Sequence, residues 1–194
     1  MKILSWNLNH RAARRPIPSW ITSAIARHAP DTLVLTEYVE GQDHHQFLLG
    51  LGDLGLRNVL ISPRTLKENQ VLIASRDPMR SGGLKAPPLH PSVPPNALHA
   101  LLGNARFNLL GFRMPAFTGQ PKAIKRETWN WLLDAAAGML STPAAIVGDF
   151  NTTPGDIAAN CGDCLDALVS QRWQHMRPTS GFSWRHLHRV NAAN

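Results

Sequence analysis

Short apolar segments alternate with polar or Pro-containing breaks along the whole chain, a pattern typical of a layered protein built from strands and helices. Seven segments have the length and apolar content of strands, and they are residues 2–8, 32–36, 56–61, 70–75, 106–114, 144–147 and 181–185. The segment 32–36 is almost entirely apolar, which predicts a strand that is buried on both faces.

Four other segments show the apolar periodicity or the capping residues of helices. Pro18 and Ser19 begin one helix, residues 44–51 form a short one, Thr118 can cap a long one that runs to about residue 140, and Asp156 begins the last. Residues 81–96 are rich in Pro and Gly, and they predict an irregular loop with at most one edge strand.

This order of elements predicts an α+β fold in one domain that covers residues 1–194. It mixes β-α-β units with runs of consecutive strands, so a doubly wound parallel sheet fits it poorly. Two packed sheets with helices outside them fit better. A chain of 194 residues is long enough for one sizeable core, and we find neither an internal repeat nor a linker.

The charge balance favours an anionic partner. Lys and Arg number 20 against 13 Asp and Glu, which gives a formal net charge of +7, and most of the positive residues are Arg. Arginine pairs bidentately with phosphate, although a merely soluble basic surface is the alternative interpretation. No apolar run approaches the roughly 20 residues of a membrane helix, and the N-terminus lacks a secretory pattern. We therefore expect a cytoplasmic protein without a membrane span.

The two cysteines, Cys161 and Cys164, form a single C-x-x-C pair. One pair cannot complete a four-ligand zinc site, and the nearby His186 and His188 do not have zinc-finger spacing. Two reduced thiols without a metal or redox function are the expectation.

The candidate chemistry lies where three apolar strands end in polar residues. These ends are residues 5–9, with Asn7 and Asn9, residues 33–37, with Glu37, and residues 146–154, with Asp149 and Asn151. Strand ends in layered folds hold loop residues rigidly, and binding sites tend to gather there. Turn formation before Pro154 would explain the third end alone, but it does not explain Asn7 and Glu37.

These motifs resemble the endonuclease/exonuclease/phosphatase superfamily, whose members include deoxyribonuclease I-like nucleases, abasic-site endonucleases and inositol-phosphate phosphatases. The matching segments are Trp6-Asn7-Leu8-Asn9, residues 31–37, Phe112-Arg113-Met114-Pro115, Gly148-Asp149-Phe150-Asn151 and Phe182-Ser183-Trp184. The resemblance implies a deoxyribonuclease I-like fold, a four-layer α/β/β/α sandwich of two packed mixed sheets flanked by helices.

The resemblance also implies roles for the residues at the strand ends. Glu37, with Asn7 beside it, would hold Mg²⁺ or, as the alternative, Mn²⁺. Asp149 would activate or orient the attacking water, and Asn151 would donate hydrogen bonds to the phosphoryl oxygens as charge develops. Arg113 stands where the family usually has His or Tyr, so it could stabilise charge but could not transfer a proton.

Other residues are weaker candidates for contacts with substrate phosphate. They are Asn9, Arg11, Arg14 and Trp184. The arginines of this group and Arg15 follow the first strand, and a solvated basic loop is the alternative interpretation for them.

The chain departs from the family at its C-terminal end. Family members continue past the position of Trp184 into a strand that carries Asp, and end in a Ser-Asp-His or similar segment whose His contacts the scissile phosphate. This sequence has no such pair, and the spacing of His186 and His188 does not show that either replaces the missing His. We therefore expect the last strands of one sheet to be missing as well.

These features lead to one preferred function and two alternatives. The expected function is a Mg²⁺-dependent phosphodiester hydrolase, an endonuclease or exonuclease that acts on nucleic acid. One alternative is a phosphomonoesterase that acts on inositol or lipid phosphates. The other is a truncated relative that binds phosphate polymers without catalysis, because loss of an orienting Asp-His pair commonly costs several orders of magnitude in rate.

Overall fold

The computed structural model describes residues 1–9, 17–64, 69–88, 96–103, 107–115, 122–152 and 161–176. The strands within these residues are β1 (Ile3–Asn7), β2 (Thr32–Tyr38), β3 (Asn58–Ile61), β4 (Gln70–Ser75), β5 (Met79–Ser81), β6 (Ala97–Leu102), β7 (Phe107–Arg113) and β8 (Ala144–Asp149). The helices are α1 (Ser19–His28), α2 (His44–Asp53), α3 (Lys122–Met139) and α4 (Gly162–Ser170).

The strands form two mixed sheets of four. The first has the order β1-β2-β4-β3 and the second the order β5-β6-β7-β8. β1 is parallel to β2 and β7 is parallel to β8, while the other neighbours are antiparallel. Each parallel pair therefore has both of its carboxyl ends on the same edge of its sheet.

Three apolar clusters hold the layers together. One joins α1 and α2 to the first sheet through Ile25, Leu33 and Leu51, and the central one joins the two sheets. The third joins the second sheet to α3 and α4, and it includes Phe112 and Trp129. The order of layers is therefore helix, sheet, sheet, helix, and the predicted α+β sandwich of two packed mixed sheets is confirmed.

Three strands differ from the sequence-based expectation; the first is β5, an edge strand that was not predicted at residues 79–81. β6 was not predicted; it pairs along its whole length with β7, so tertiary pairing makes a strand of a segment whose pattern is interrupted by His99. β2 runs past the expected end, through Glu37 to Tyr38, and its pairing with β4 shifts register between Leu35 and Tyr38. The register shift places Glu37 in the irregular part of the strand.

Several expected elements lie outside the described residues. They are the Thr118 cap, the helix start at Asp156 and the strand at residues 181–185. Of the helices in the described part of the chain, none combines the length and the hydropathy that crossing a bilayer requires.

Candidate active site

The carboxyl ends of β1, β2, β7 and β8 meet where the two sheets face each other. Asn7 ends β1, Glu37 lies near the end of β2, Arg113 ends β7 and Asp149 ends β8. Asn7 and Asp149 are 142 residues apart in the sequence, yet their side chains are hydrogen bonded. The two parallel pairs thus bring four polar side chains from four strands into one cluster.

The Asn7 amide connects the two carboxylates of the cluster. Its Nδ2 donates to Glu37 Oε1 at 3.2 Å and to Asp149 Oδ2 at 2.8 Å. Its Oδ1 accepts the backbone N–H of Asn9 at 2.8 Å, which fixes the orientation of the amide. One amide group therefore keeps two carboxylates of like charge close together, an arrangement that needs compensating positive charge.

Arg113 supplies part of that positive charge. Its Nε donates to Glu37 Oε1 at 2.9 Å, and both side chains are largely buried, with 17% and 7% of the side-chain surface exposed. A guanidinium in a partly desolvated site interacts more strongly with anions than one in bulk water does. Besides Nε, the planar guanidinium has two Nη groups, and N–H donors of this kind are suited to phosphate oxygens.

Asn151 is held against Asp149 by the turn that follows β8. The backbone N–H of Asn151 donates to Asp149 Oδ1 at 3.1 Å. Its Nδ2 donates to Asp149 Oδ2 at 3.2 Å and to the carbonyl oxygen of Met114 at 2.9 Å. Both oxygens of Asp149 thus accept hydrogen bonds, so the carboxylate has one defined orientation toward the rest of the cluster.

The backbone is strained at three of the strand ends that form the site. Asn9, Glu37 and Asn151 have positive φ values of 53°, 54° and 44°. A non-glycine residue in this conformation costs about 1–3 kcal/mol and persists only where its surroundings impose it. Asparagine tolerates the left-handed region, whereas Glu37 gains nothing local from it. Glu37 is therefore the residue of the three whose conformation its surroundings must impose, and it lies in the hydrogen-bonded cluster.

Gly148 is required by the backbone immediately before Asp149. Its φ is 152°, and a Cβ at this position would lie 1.7 Å from the carbonyl oxygen of Phe112 on the neighbouring strand. Only glycine permits this close approach of β8 to β7. The glycine of the Gly-Asp-Phe-Asn segment thereby sets the position of the carboxylate that follows it.

Helix α3 supports the same turn from behind. Lys125 is buried, and its Nζ donates to the carbonyl oxygen of Asn151. Trp129 is also buried, and its Nε1 donates to Thr152 Oγ1 at 3.1 Å while its ring packs on Phe150. Lys125 was not predicted as part of the site, because its contact with the turn after β8 depends on the position of α3.

The donor set fits one hard divalent cation. Mg²⁺ prefers oxygen ligands, commonly binds through one or two carboxylates and keeps several waters. Glu37 and Asp149 are two carboxylates within hydrogen-bonding distance of one amide nitrogen. Within the described residues there is no group of three or more His, Cys, Asp or Glu side chains that could hold a metal ion. A cation held by Glu37 with Asn7 would therefore keep coordination positions for water and substrate.

The structure brings together all five predicted catalytic and metal-binding residues, and Asn9 lies beside them. The five are Asn7, Glu37, Arg113, Asp149 and Asn151. The remaining phosphate candidates, Arg11, Arg14 and Trp184, lie outside the described part of the chain, as do Arg15, His186 and His188.

The cysteines lie at the start of α4, in the apolar cluster between the second sheet and its helices. Cys161 and Cys164 are free and buried, and Arg126 donates to Cys164 Sγ at 3.0 Å and to both carboxylate oxygens of Asp163. Burial raises the pKa of the Cys164 thiol, which favours the protonated form. This cluster packs against α3 and takes no part in the site.

Known proteins resemble this chain in sequence pattern and in structure. Residues 4–185 match the sequence model of the Endonuclease/Exonuclease/phosphatase family. Among curated protein sequences, none matches this chain at a significant level.

Solved structures share the fold at low sequence identity. The 3′ phosphatase NExo from Neisseria, bound to a product DNA hairpin, has 21% identity and a TM-score of 0.64, over 88% of this chain and 71% of that one. An AP endonuclease from Archaeoglobus fulgidus has 16% identity and a TM-score of 0.65, over 88% and 70%. ANGEL2, a 2′,3′-cyclic phosphatase, has 16% identity and a TM-score of 0.55, over 79% and 53%. These likenesses establish the shared deoxyribonuclease I-like architecture.

Proposed function

Since this chain belongs to the Endonuclease/Exonuclease/phosphatase family, we propose that it is a Mg²⁺-dependent phosphodiester hydrolase that acts on nucleic acid. Membership in a family of nucleases and phosphatases supports phosphoester hydrolysis in general. The observation that carries the proposal is the hydrogen-bonded cluster in which Asn7 connects Glu37 to Asp149 across the two sheets.

Glu37 and Asn7 are the residues that would hold the cation. The buried Glu37 carboxylate would supply an oxygen ligand. Asn7 would add its Oδ1, which accepts the Asn9 N–H in the structure while Nδ2 faces the carboxylates, so its amide would have to turn toward the cation. When bound, Mg²⁺ or Mn²⁺ would offset the negative charge of the phosphate under attack.

Asp149 is the residue that would take the proton of the attacking water. Its carboxylate is held by hydrogen bonds from Asn7 and Asn151, so one orientation is available before substrate arrives. Preorganisation of this kind avoids a reorganisation cost during the reaction. A positioned general base contributes about 10²- to 10⁴-fold to a rate.

Arg113 would stabilise the charge that develops on phosphorus-bound oxygens, and Asn151 would add a donor there by releasing its Nδ2 from Met114 or Asp149. Arg113 lies against Glu37 and therefore next to the proposed cation site, and a guanidinium offers several N–H donors to phosphate oxygens. Asn9, Arg11, Arg14 and Trp184 are proposed to contact flanking phosphates.

A polyanionic substrate is favoured by the formal net charge of +7. Binding of a basic protein to a nucleic acid releases condensed counterions, and this adds a favourable free energy that a small phosphomonoester does not provide. Inositol or lipid phosphomonoesters are the alternative substrates, since the same residues would serve their hydrolysis.

The proposal is tested by nicking of supercoiled plasmid with Mg²⁺, with EDTA and by the Glu37→Gln variant. Glu127→Gln is the matched control, because Glu127 is an exposed carboxylate on α3. We expect nicking by the wild type and by Glu127→Gln in Mg²⁺, and its loss in EDTA and in Glu37→Gln.

Inositol phosphates tested in parallel identify the alternative substrate. Release of phosphate from them without plasmid nicking would replace the nuclease assignment. Folded protein that binds the plasmid but hydrolyses neither substrate would be a non-catalytic relative, and the proposed activity would be wrong.

A further inference from the structure

A half-exposed tryptophan lies beside the strand that carries Asn7. Trp20 is in the first turn of α1, and 50% of its surface is accessible to solvent. Of the large apolar side chains that are exposed in the described part of the chain, Trp20 is the one aromatic; the others are Met1, Leu49, Leu140, Val169 and Met176. An indole ring in water is costly to leave uncovered, since its burial is worth more than that of most aliphatic side chains.

Trp6 holds Trp20 in place. The two ring centroids are 5.7 Å apart, with a tilt of 49° between the ring planes. Trp6 itself packs against the apolar cluster under α1 and α2, so it provides a fixed support. Trp20 is therefore a large planar surface whose orientation is set before any ligand binds, which lowers the entropic cost of stacking on it.

The position of this tryptophan pair relates it to the candidate active site. Trp6 immediately precedes Asn7 in β1, so the pair lies at the same carboxyl end of the strand as the carboxylates. Side chains alternate along a strand; Trp6 therefore faces the helices while Asn7 faces the second sheet. A nucleic-acid strand with one phosphate in the candidate active site would pass over the end of β1 to reach Trp20.

The charged residues of α1 itself are all positive, and a carboxylate near its start is Asp43, which accepts the backbone N–H of Ile17. α1 contains no Asp or Glu, and it has Arg27 and His28 in its last turn. Arg27 is exposed and lies two helical turns from Trp20, about 10.5 Å along the axis and on nearly the same face. A stacking surface followed by a cation is the combination that proteins use for single-stranded nucleic acid.

We infer that Trp20, supported by Trp6, is a stacking site for an unpaired nucleobase of the strand whose phosphate lies in the candidate active site. This inference rests on the proposed function, because a nucleobase is the planar group that a nucleic-acid substrate would bring next to that phosphate. A base of any identity has a π face, so the site should bind bases with little sequence preference.

The test is binding of two labelled ten-nucleotide strands, measured by fluorescence anisotropy in EDTA so that no strand is cleaved. One is oligodeoxythymidine and the other is an abasic strand of the same length. The variants are Trp20→Ala, Trp20→Tyr and the control Val169→Ala, which shortens an aliphatic side chain of similar exposure on α4. Thermal unfolding of each variant reports whether it is folded.

We expect Trp20→Ala to weaken binding of oligodeoxythymidine about tenfold, while Trp20→Tyr and Val169→Ala stay within about threefold of the wild type. Binding of the abasic strand should be the same in all four proteins. Equal affinity of Trp20→Ala and wild type for oligodeoxythymidine would overturn the inference. An equal loss on both strands, or no binding of either strand by the wild type, would overturn it as well.

The two proposals fail separately in this design. Stacking is measured without hydrolysis, so base-dependent binding by a protein that cleaves nothing contradicts only the proposed activity. Conversely, bis(p-nitrophenyl) phosphate contains no nucleobase, so its hydrolysis tests the proposed activity alone. If the protein hydrolyses this compound in a Glu37-dependent manner but Trp20→Ala does not weaken binding of the nucleic-acid strand, only the stacking site is contradicted.

Discussion

Substitution of Gly148 by alanine should damage both stability and the site, because the added Cβ has no room. At a φ of 152°, the Cβ would lie 1.7 Å from the carbonyl oxygen of Phe112 and 2.8 Å from its carbonyl carbon, both of them backbone atoms. The dihedral strain costs about 1–3 kcal/mol, and forced separation of packed groups costs a similar amount. We expect a loss of roughly 3–4 kcal/mol from a stability of about 5–15 kcal/mol.

The activity should fall further than stability alone would cause. Gly148 pairs with Phe112 in the ladder between β7 and β8, and Asp149 is the next residue. Relief of the clash moves the backbone next to this carboxylate by about 1 Å, and a misplacement of that size costs on the order of 100-fold in rate.

The assay is urea unfolding followed by circular dichroism, with Gly138→Ala as the matched control. A Cβ on Gly138, in the last turns of α3, would meet no atom within 4 Å, so this variant should keep or slightly gain stability through helix propensity. If Gly148→Ala unfolds within about 0.5 kcal/mol of the wild type, the close approach of β8 to β7 is not a real constraint.

Substitutions at three further residues test other contacts. Arg113→Met removes the cation beside the buried Glu37 carboxylate, and it should cost about 3 kcal/mol in urea unfolding; Arg113→Lys should restore part of that loss. Lys125→Met removes the donor to the Asn151 carbonyl, and it should lower kcat about tenfold with a small change in KM. Burial lowers the pKa of His99, so the unfolded chain binds a proton at this residue at higher pH than the folded chain does. The free energy of unfolding should therefore decrease as the pH is lowered through about 6.5. His99→Gln should make this decrease smaller, and an unchanged slope in that variant would refute this cause.

The strand ends were the most predictable part of the molecule. An apolar segment that is followed by Asn7, Glu37 or Asp149 predicts a buried strand with a polar residue at or near its end. The structure has β1, β2 and β8 at these three segments. The two-sheet architecture was also predictable, because β-α-β units alternate with runs of strands. Local pattern is sufficient where burial and periodicity agree.

What the sequence could not predict depends on contacts between distant residues. The pairing of Arg113 with Glu37 joins positions 76 residues apart, and only the packing of the two sheets brings them together. β6 forms because β7 offers a partner, and its own pattern is too irregular to predict it. Lys125 reads as a surface lysine until the position of α3 against the turn after β8 is known.

The helix faces show the same limit at a finer level. The apolar spacing of α3 in the sequence places Ile124, Leu132 and Trp131 on one face; the first two are buried, but Trp131 is only partly buried and Trp129 is the fully buried tryptophan. In α1, His28 continues the spacing of the apolar residues, yet it is exposed in the last turn. Periodicity therefore identifies the buried face of a helix, but not which residues at its border are covered.

The proposed function requires that the cluster of Asn7, Glu37 and Asp149 hydrolyses phosphodiester bonds with a bound divalent cation. The decisive test of this requirement is single-turnover cleavage of a labelled oligonucleotide in Mg²⁺ by the wild type and by Asp149→Asn. We predict a rate at least about 100-fold lower for Asp149→Asn, with the affinity for the oligonucleotide unchanged and wild-type cleavage abolished by EDTA. Equal rates for the two proteins, or wild-type cleavage that persists in EDTA, would contradict it.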